Sequence, residues 1–318
     1  NPPYGALIDY YFTKAPKGDV TITIADQSGK VVRTLDGVAR QPGLNRVAWD
    51  LRYEGAWRPD TSAFRTRARR DTTPAAGPAA TPPGQVTIDT ARIRTQRGAA
   101  GGGRAEAESE GSRFRRSQGP LVLPGTYTVT LVADGQRMSK QVQVKMDPRV
   151  QIAEADLKAQ LAASMSMREL TSRVQHILYH TNDLMRQLTA LSTQLQRSVS
   201  PNNGDYGAAG APTPAGLSEV KATLEKLQQF RDTLLTRPVQ GLGYRQYPRL
   251  LEEVQRLYRS IESPVSKPTD PDMRRMGELV EETNTAQGML DQIIATDIAT
   301  INQMMKKNPR IIAGGPIM

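Results

Sequence analysis

The chain holds two histidines, His176 and His180, four residues apart. On a helix that spacing puts both imidazoles on one stripe, and Glu169 and Asp183, each seven residues from His176, fall close to it. Such a set could hold one metal ion, and a metal-dependent hydrolase is one function to weigh. The intervening residues are Ile177, Leu178 and Tyr179, however, so the glutamate base of an H-E-x-x-H metalloprotease motif is missing. Histidines bordering a buried stripe are the favoured reading, and no metal is assigned. The carboxylate pairs Glu252-Glu253 and Glu281-Glu282 are helix neighbours about 100° apart, unable to clasp one substrate atom, and are expected on solvated faces. No Gly-x-Ser-x-Gly elbow occurs. The run Gly101-Gly102-Gly103 follows no strand and lacks the Lys-Ser/Thr of a phosphate loop. With no cysteine, disulfides, thiolate metal sites and a cysteine nucleophile are excluded. The chain thus carries no assigned catalytic or cofactor-binding residue.

Two other residue types could recognise a ligand. Trp49 alternates with apolar positions and is expected in a core. Trp57, Tyr244 and Tyr247 are open candidates for stacking a sugar or a peptide. Arginines dominate the tract from 58 to 118, among them Arg65, Arg67, Arg69, Arg70, Arg113, Arg115 and Arg116. A net charge of +10 favours an anionic partner: an acidic protein face, anionic headgroups or nucleic acid. Nucleic acid is disfavoured, because only Phe64 and Phe114 interrupt the basic runs and give bases little to stack on.

These residues need elements to position them. Ala6–Phe12, Val20–Ile24, Val31–Leu35, Gly43–Tyr53, Gly125–Val132 and Met138–Val144 show the alternation of strands, with turn residues between them. About seven short strands are expected, as in an immunoglobulin-like or fibronectin-III-like sandwich. The sandwich is discontinuous, 1–57 and 119–148, and 58–118 is a low-complexity basic insertion that buries too little apolar surface to offset its ordering entropy. From 149 to 309 the period is helical. Leu170, Val174, Ile177, Thr181, Leu184, Leu188, Leu191 and Leu195 form one seam on a helix running from near Ala153 to before Pro201. Three further helices carry Leu217–Leu234, Leu250–Ile261, and Met276, Val280, Leu290, Ile294, Ile298 and Ile301. The fold class expected is α+β and multidomain: a sandwich, then an antiparallel four-helix bundle, with 310–318 as a tail.

Several strings resemble a known family. N-P-P-Y-G-A (1–6), D-Q-S-G-K-V-V-R-T (26–34), P-G-L-N-R-V-A-W-D-L-R-Y (42–53), G-P-L-V-L-P-G-T-Y-T-V (119–129), V-K-M-D-P-R-V (144–150) and Y-P-R-L-L-E-E-V-Q-R-L-Y (247–258) are similar to the C-terminal region of bacterial secreted sortilin-like proteins with BNR-type propeller repeats. Members are often labelled glycosyl hydrolases by propeller analogy. The strands alone resemble the Ig-like domain of flagellar hook-capping proteins. The propellers are absent here, so no catalytic residue carries over. The arginine- and glycine-rich filling follows no pattern of the family. What the resemblance implies is export as part of a precursor, and an Ig-like module followed by helices.

The opening Asn1-Pro2-Pro3-Tyr4-Gly5 has no initiator Met, basic run or apolar run of a signal peptide, and it is read as the start of a processed product or of a longer chain's tail. No window reaches the about 18 apolar residues of a membrane span. The expectation is a non-catalytic structural or interaction subunit, periplasmic or extracellular and peripheral to a membrane. It would dock on other protein subunits, such as the external face of a membrane complex, or on anionic lipid, through Trp57 and the arginines, with no cofactor. The alternative is an accessory ligand-binding module of a secreted propeller protein.

Overall fold

A computed structural model describes residues 5–35, 38–59, 119–199, 214–238, 247–263, 265–305 and 311. The candidate residues Arg65, Arg67, Arg69, Arg70, Arg113, Arg115, Arg116 and Tyr244 lie outside the described residues, as do nearly all of the 58–118 insertion and of the 310–318 tail.

Strict alternation in the first half becomes six strands: β1 (Ala6–Phe12), β2 (Thr21–Ala25), β3 (Val31–Leu35), β4 (Gly43–Trp49), β5 (Gly125–Ala133) and β6 (Gln136–Val144). They form two antiparallel sheets, β1-β4 and β3-β2-β5-β6. One core joins the sheets: Tyr10 and Trp49 from the first, Ile22, Ile24, Val32, Tyr127 and Val129 from the second. Trp49 is fully buried, meets the Tyr127 ring edge-on at 5.3 Å, and donates its indole N–H to the Arg52 carbonyl at 3.1 Å. Burial pushes the Tyr127 phenol up to about 12, and its hydroxyl donates to the Leu123 carbonyl.

The strand expected to run through Tyr53 stops at Trp49. Leu51 takes a left-handed φ of 58°, which redirects the chain. Beyond that kink Arg52 bridges Leu121, and the Glu54 N–H donates to the Val32 carbonyl along the free side of β3. Among the described residues there are thus six strands and one isolated bridge, where about seven strands were expected. The same segment closes the stem of the insertion. Tyr53 N–H reaches Pro120 O at 2.8 Å and Val122 N–H reaches Leu51 O at 2.9 Å. At Gly119 a Cβ would stand 2.0 Å from the Tyr53 carbonyl oxygen, so only glycine lets the two flanks approach this closely.

Four helices follow: α1 (Glu154–Val199), α2 (Leu217–Phe230), α3 (Leu250–Glu262) and α4 (Asp270–Ile293). α2 ends in a π-helical turn (Arg231–Leu235), and α4 passes through another (Ile294–Ile298) into the short α5 (Ala299–Met304). α1 packs on α2, α3 and α4, and α3 on α4. The predicted α1 seam from Leu170 to Leu195 is buried throughout, including Thr181, whose hydroxyl donates to the Ile177 carbonyl at 2.8 Å and so needs no solvent. α4 differs from expectation. Its buried row is Leu279, Thr283, Ala286, Leu290 and Ile293, and Met276, Val280 and Ile294 pack only at its border. Thr269 caps α4 in a reciprocal box with Asp272. Glu252, expected on a solvated face, instead accepts the Arg249 backbone N–H at 2.9 Å and the Thr236 hydroxyl at 2.9 Å, tying the start of α3 to the end of α2. Among the described residues no helix is long and apolar enough to cross a membrane.

Candidate functional site

The described side chains with the most chemistry meet where α1 passes the stem of the insertion. Ser172, His176 and Tyr179 share one helical face, spaced four and three residues apart. The Trp57 ring lies flat on the His176 imidazole, centroids 3.6 Å apart and planes 17° from parallel, with Tyr179 edge-on to Trp57 at 5.7 Å. The Trp57 backbone N–H donates to the Ser172 hydroxyl oxygen at 3.0 Å, and that hydroxyl donates onward to the Arg168 carbonyl. Arg168 in turn reaches the Glu54 carbonyl.

A charged contact runs beside it. One Arg52 guanidinium nitrogen donates to the Glu262 carboxylate at 2.7 Å and to the Gly119 carbonyl at 2.6 Å. Both side chains of this pair are largely buried, at 25% and 16% exposure. Burial raises the Glu262 carboxyl above its ordinary range, and the Arg52 hydrogen bond only partly opposes this. The Tyr258 phenol is also pushed up, by burial first and then by the neighbouring Glu262 carboxylate. One arginine therefore holds three separated pieces of chain: the β4 exit, the returning end of the insertion, and the C-terminus of α3.

This geometry changes what the candidate residues can do. One face of Trp57 is taken by His176 and cannot stack a ligand. Burial lowers the His176 pKa, and the nearby His180 adds to the effect, with Glu169 opposing. Asp183 is engaged by Arg186 and Gln187. Among the described residues no group of three or more His, Cys, Asp or Glu could hold a metal ion. Next to the stack lies a groove of about 650 Å³, lined by Arg58, Tyr179, Asn182, Arg186, Leu251 and Gln255 among others. Its lining is mostly apolar, with guanidinium, amide and phenol groups and no carboxylate or imidazole, a set suited to holding a largely apolar ligand through a few polar contacts.

Sequence reasoning found Trp57 and both histidines and missed that they belong together. Trp57 and His176 are 119 positions apart, and Arg52 and Glu262 are 210 apart. The local hint was the stripe Ser172-His176-Tyr179 bordering the apolar seam of an amphipathic helix. No family model matches the chain, and neither a curated protein nor a solved structure does.

Proposed function

We propose that the chain is a non-catalytic structural and interaction subunit, working outside the cytoplasm and docking on a larger protein assembly such as the external face of a membrane complex. The observation that supports this reading is the junction. The most chemically capable side chains, Trp57, His176, Arg52 and Glu262, are engaged with one another to hold the β layer against the helices. A chain that uses them in this way works as a bracket. In this reading the β layer is an Ig-like or fibronectin-III-like sandwich serving as a mount. The likeness of the strings above to sortilin-like C-terminal regions supports export within a longer precursor. Gentle isolation from native membranes, with intact-mass analysis of this chain, tests it. Co-migration with defined partner subunits is expected. A chain found alone and monomeric under those conditions contradicts it.

A second reading, an accessory ligand-binding module of a secreted propeller protein, is favoured by the groove beside Tyr179 and by Tyr247, which is 85% exposed. It requires saturable binding of glycan or peptide that weakens in Tyr179→Ala and Tyr247→Ala. Flat titrations across both ligand classes remove it.

A further inference from the structure

The two sheets are unequal. Four strands face two, so part of the larger sheet's core side has no described strand across from it. Exposure locates the uncovered part. On the β3 side the inward residues Val32 and Leu35 are buried, and residues 51–54 lie along that edge. On the β6 side the residues opposite Leu131, Val129, Tyr127 and Gly125 are Met138, Lys140, Val142 and Val144. These four share the core-facing row, yet Met138 is 59% exposed, Lys140 is exposed, and the valines are only half-buried. The smaller sheet shows a weaker difference. Of its inward residues, Asn45 and Trp49 of β4 and Tyr10 of β1 are buried, whereas Val47 of β4 and Ala6, Ile8 and Phe12 of β1 are half-buried. Residues 51–54 continue from β4 along the β3 edge, which sets β4 on the β3 side and leaves its neighbour β1 as the strand of the smaller sheet toward β6.

Among the described residues β1 pairs with β4 alone. It is a seven-residue, aromatic-rich strand with no proline and no bulge in its pairing, and these are the devices that normally blunt an edge. We propose that β1 is completed by an extended segment of a partner polypeptide, which adds as a third strand and lays alternate side chains over Met138, Lys140, Val142 and Val144. This deepens, and rests on, the reading of the chain as an interaction subunit. The row specifies the partner's chemistry. Apolar side chains would cover Met138, Val142 and Val144, and a carboxylate would face Lys140. β6 carries Arg137 and Lys140 and no acidic residue, and Lys140 forms no ion pair among the described residues. Backbone pairing would supply affinity, and the alternating row would supply specificity.

The probe is a labelled nine-residue peptide, Val-Thr-Val-Thr-Glu-Thr-Val-Thr-Val, titrated into the full chain with polarisation as readout. Saturable binding is expected, together with slowed hydrogen exchange in β1 and loss of binding when the central Thr-Glu is replaced by Pro-Glu. Lys140→Glu, at an exposed position that leaves the fold intact, should weaken binding about five- to tenfold, and a peptide with Lys in place of Glu should recover it. No saturable binding, or binding indifferent to Lys140→Glu, overturns the proposal. So does a concentration-dependent dimer that buries β1 without any peptide, which would assign the edge to a second copy. If the peptide fails while the chain still co-migrates with partner subunits, the strand-addition proposal falls and the subunit reading stands.

Discussion

The two lateral sides of the β layer are built in opposite ways. On the side of β3 and the β4 exit, several polar groups are paired within the chain: Arg52 with Glu262 and Gly119, Arg33 with Tyr53 and Glu54 through one guanidinium nitrogen, the Trp57 backbone with Ser172. On the side of β1 and β6, a row that faces the core ends in exposed Met138 and in Lys140, which forms no ion pair among the described residues. Both sides come from strands with the same alternating pattern, so propensity does not distinguish them. The difference lies in what is packed opposite. The first side meets segment 51–54 and the helices, and the second meets no described strand. Under the strand-addition proposal, the free recognition capacity of the β layer lies on the open side.

The contrast can be broken at several strengths. Trp49→Ala, which empties a fully buried position shared by both sheets, should cost about 3–5 kcal/mol and lower the denaturation midpoint of the β layer more than any change at its edge. Arg52→Ala leaves the Glu262 carboxylate largely buried without its cation. The pair is partly solvated, so the loss should be about 2 kcal/mol, between the values for buried and surface pairs. Arg52→Ala combined with Glu262→Gln should recover part of it in a double-mutant cycle followed by chemical denaturation. Trp57→Ala removes a half-buried ring and its stack, and should cost about 1–2 kcal/mol. It should also separate the unfolding of strands, read by Trp49 fluorescence, from that of helices, read by ellipticity. Met138→Thr on the open side should stay within about 0.5 kcal/mol.

Acidity acts on the closed side through two groups with opposite signs. His176 is depressed below its ordinary 6.5, so the unfolded chain takes up a proton first. Its contribution is complete above pH 6.5 and is lost as pH falls through the lower folded value. Glu262 is raised above its ordinary 4.5, so protonation favours the folded chain as pH falls through its titration range. In His176→Phe the loss of stability just below pH 6.5 should shrink, and in Glu262→Gln the opposing gain at lower pH should vanish. Thermal midpoints measured across that range check both signs.

Much of the architecture was legible because it is periodic. Val20, Ile22 and Ile24 fixed the face of β2, and the seam from Leu170 to Leu195 fixed the face of α1, Thr181 included. The legible part ends where partners are far apart in sequence or where a residue breaks its own type's habit. Leu51 adopts a left-handed conformation that its side chain disfavours, so the end of β4 was placed too late. On α4 the apolar pair Met276 and Val280 suggested a face rotated from the real one, because Thr283 and Ala286 do not register as core by hydropathy. Thr283 is fully buried and returns its hydroxyl to the Leu279 carbonyl at 2.7 Å. Glu252 looked like a surface carboxylate because the groups it binds, Thr236 at the end of α2 and the Arg249 N–H at the start of α3, lie outside its own helix pattern. The junction was invisible because no local pattern links Trp57 to His176 or Arg52 to Glu262.

Crosslinking mass spectrometry of the gently isolated assembly, with a lysine-reactive reagent, tests the central claim most directly. The account predicts that links to other polypeptides concentrate at Lys140 and Lys145, at the open side of the β layer, and are sparse at Lys158, Lys221 and Lys226 on the helices. Links confined to those helical lysines, with Lys140 and Lys145 unmodified by any partner, would contradict it.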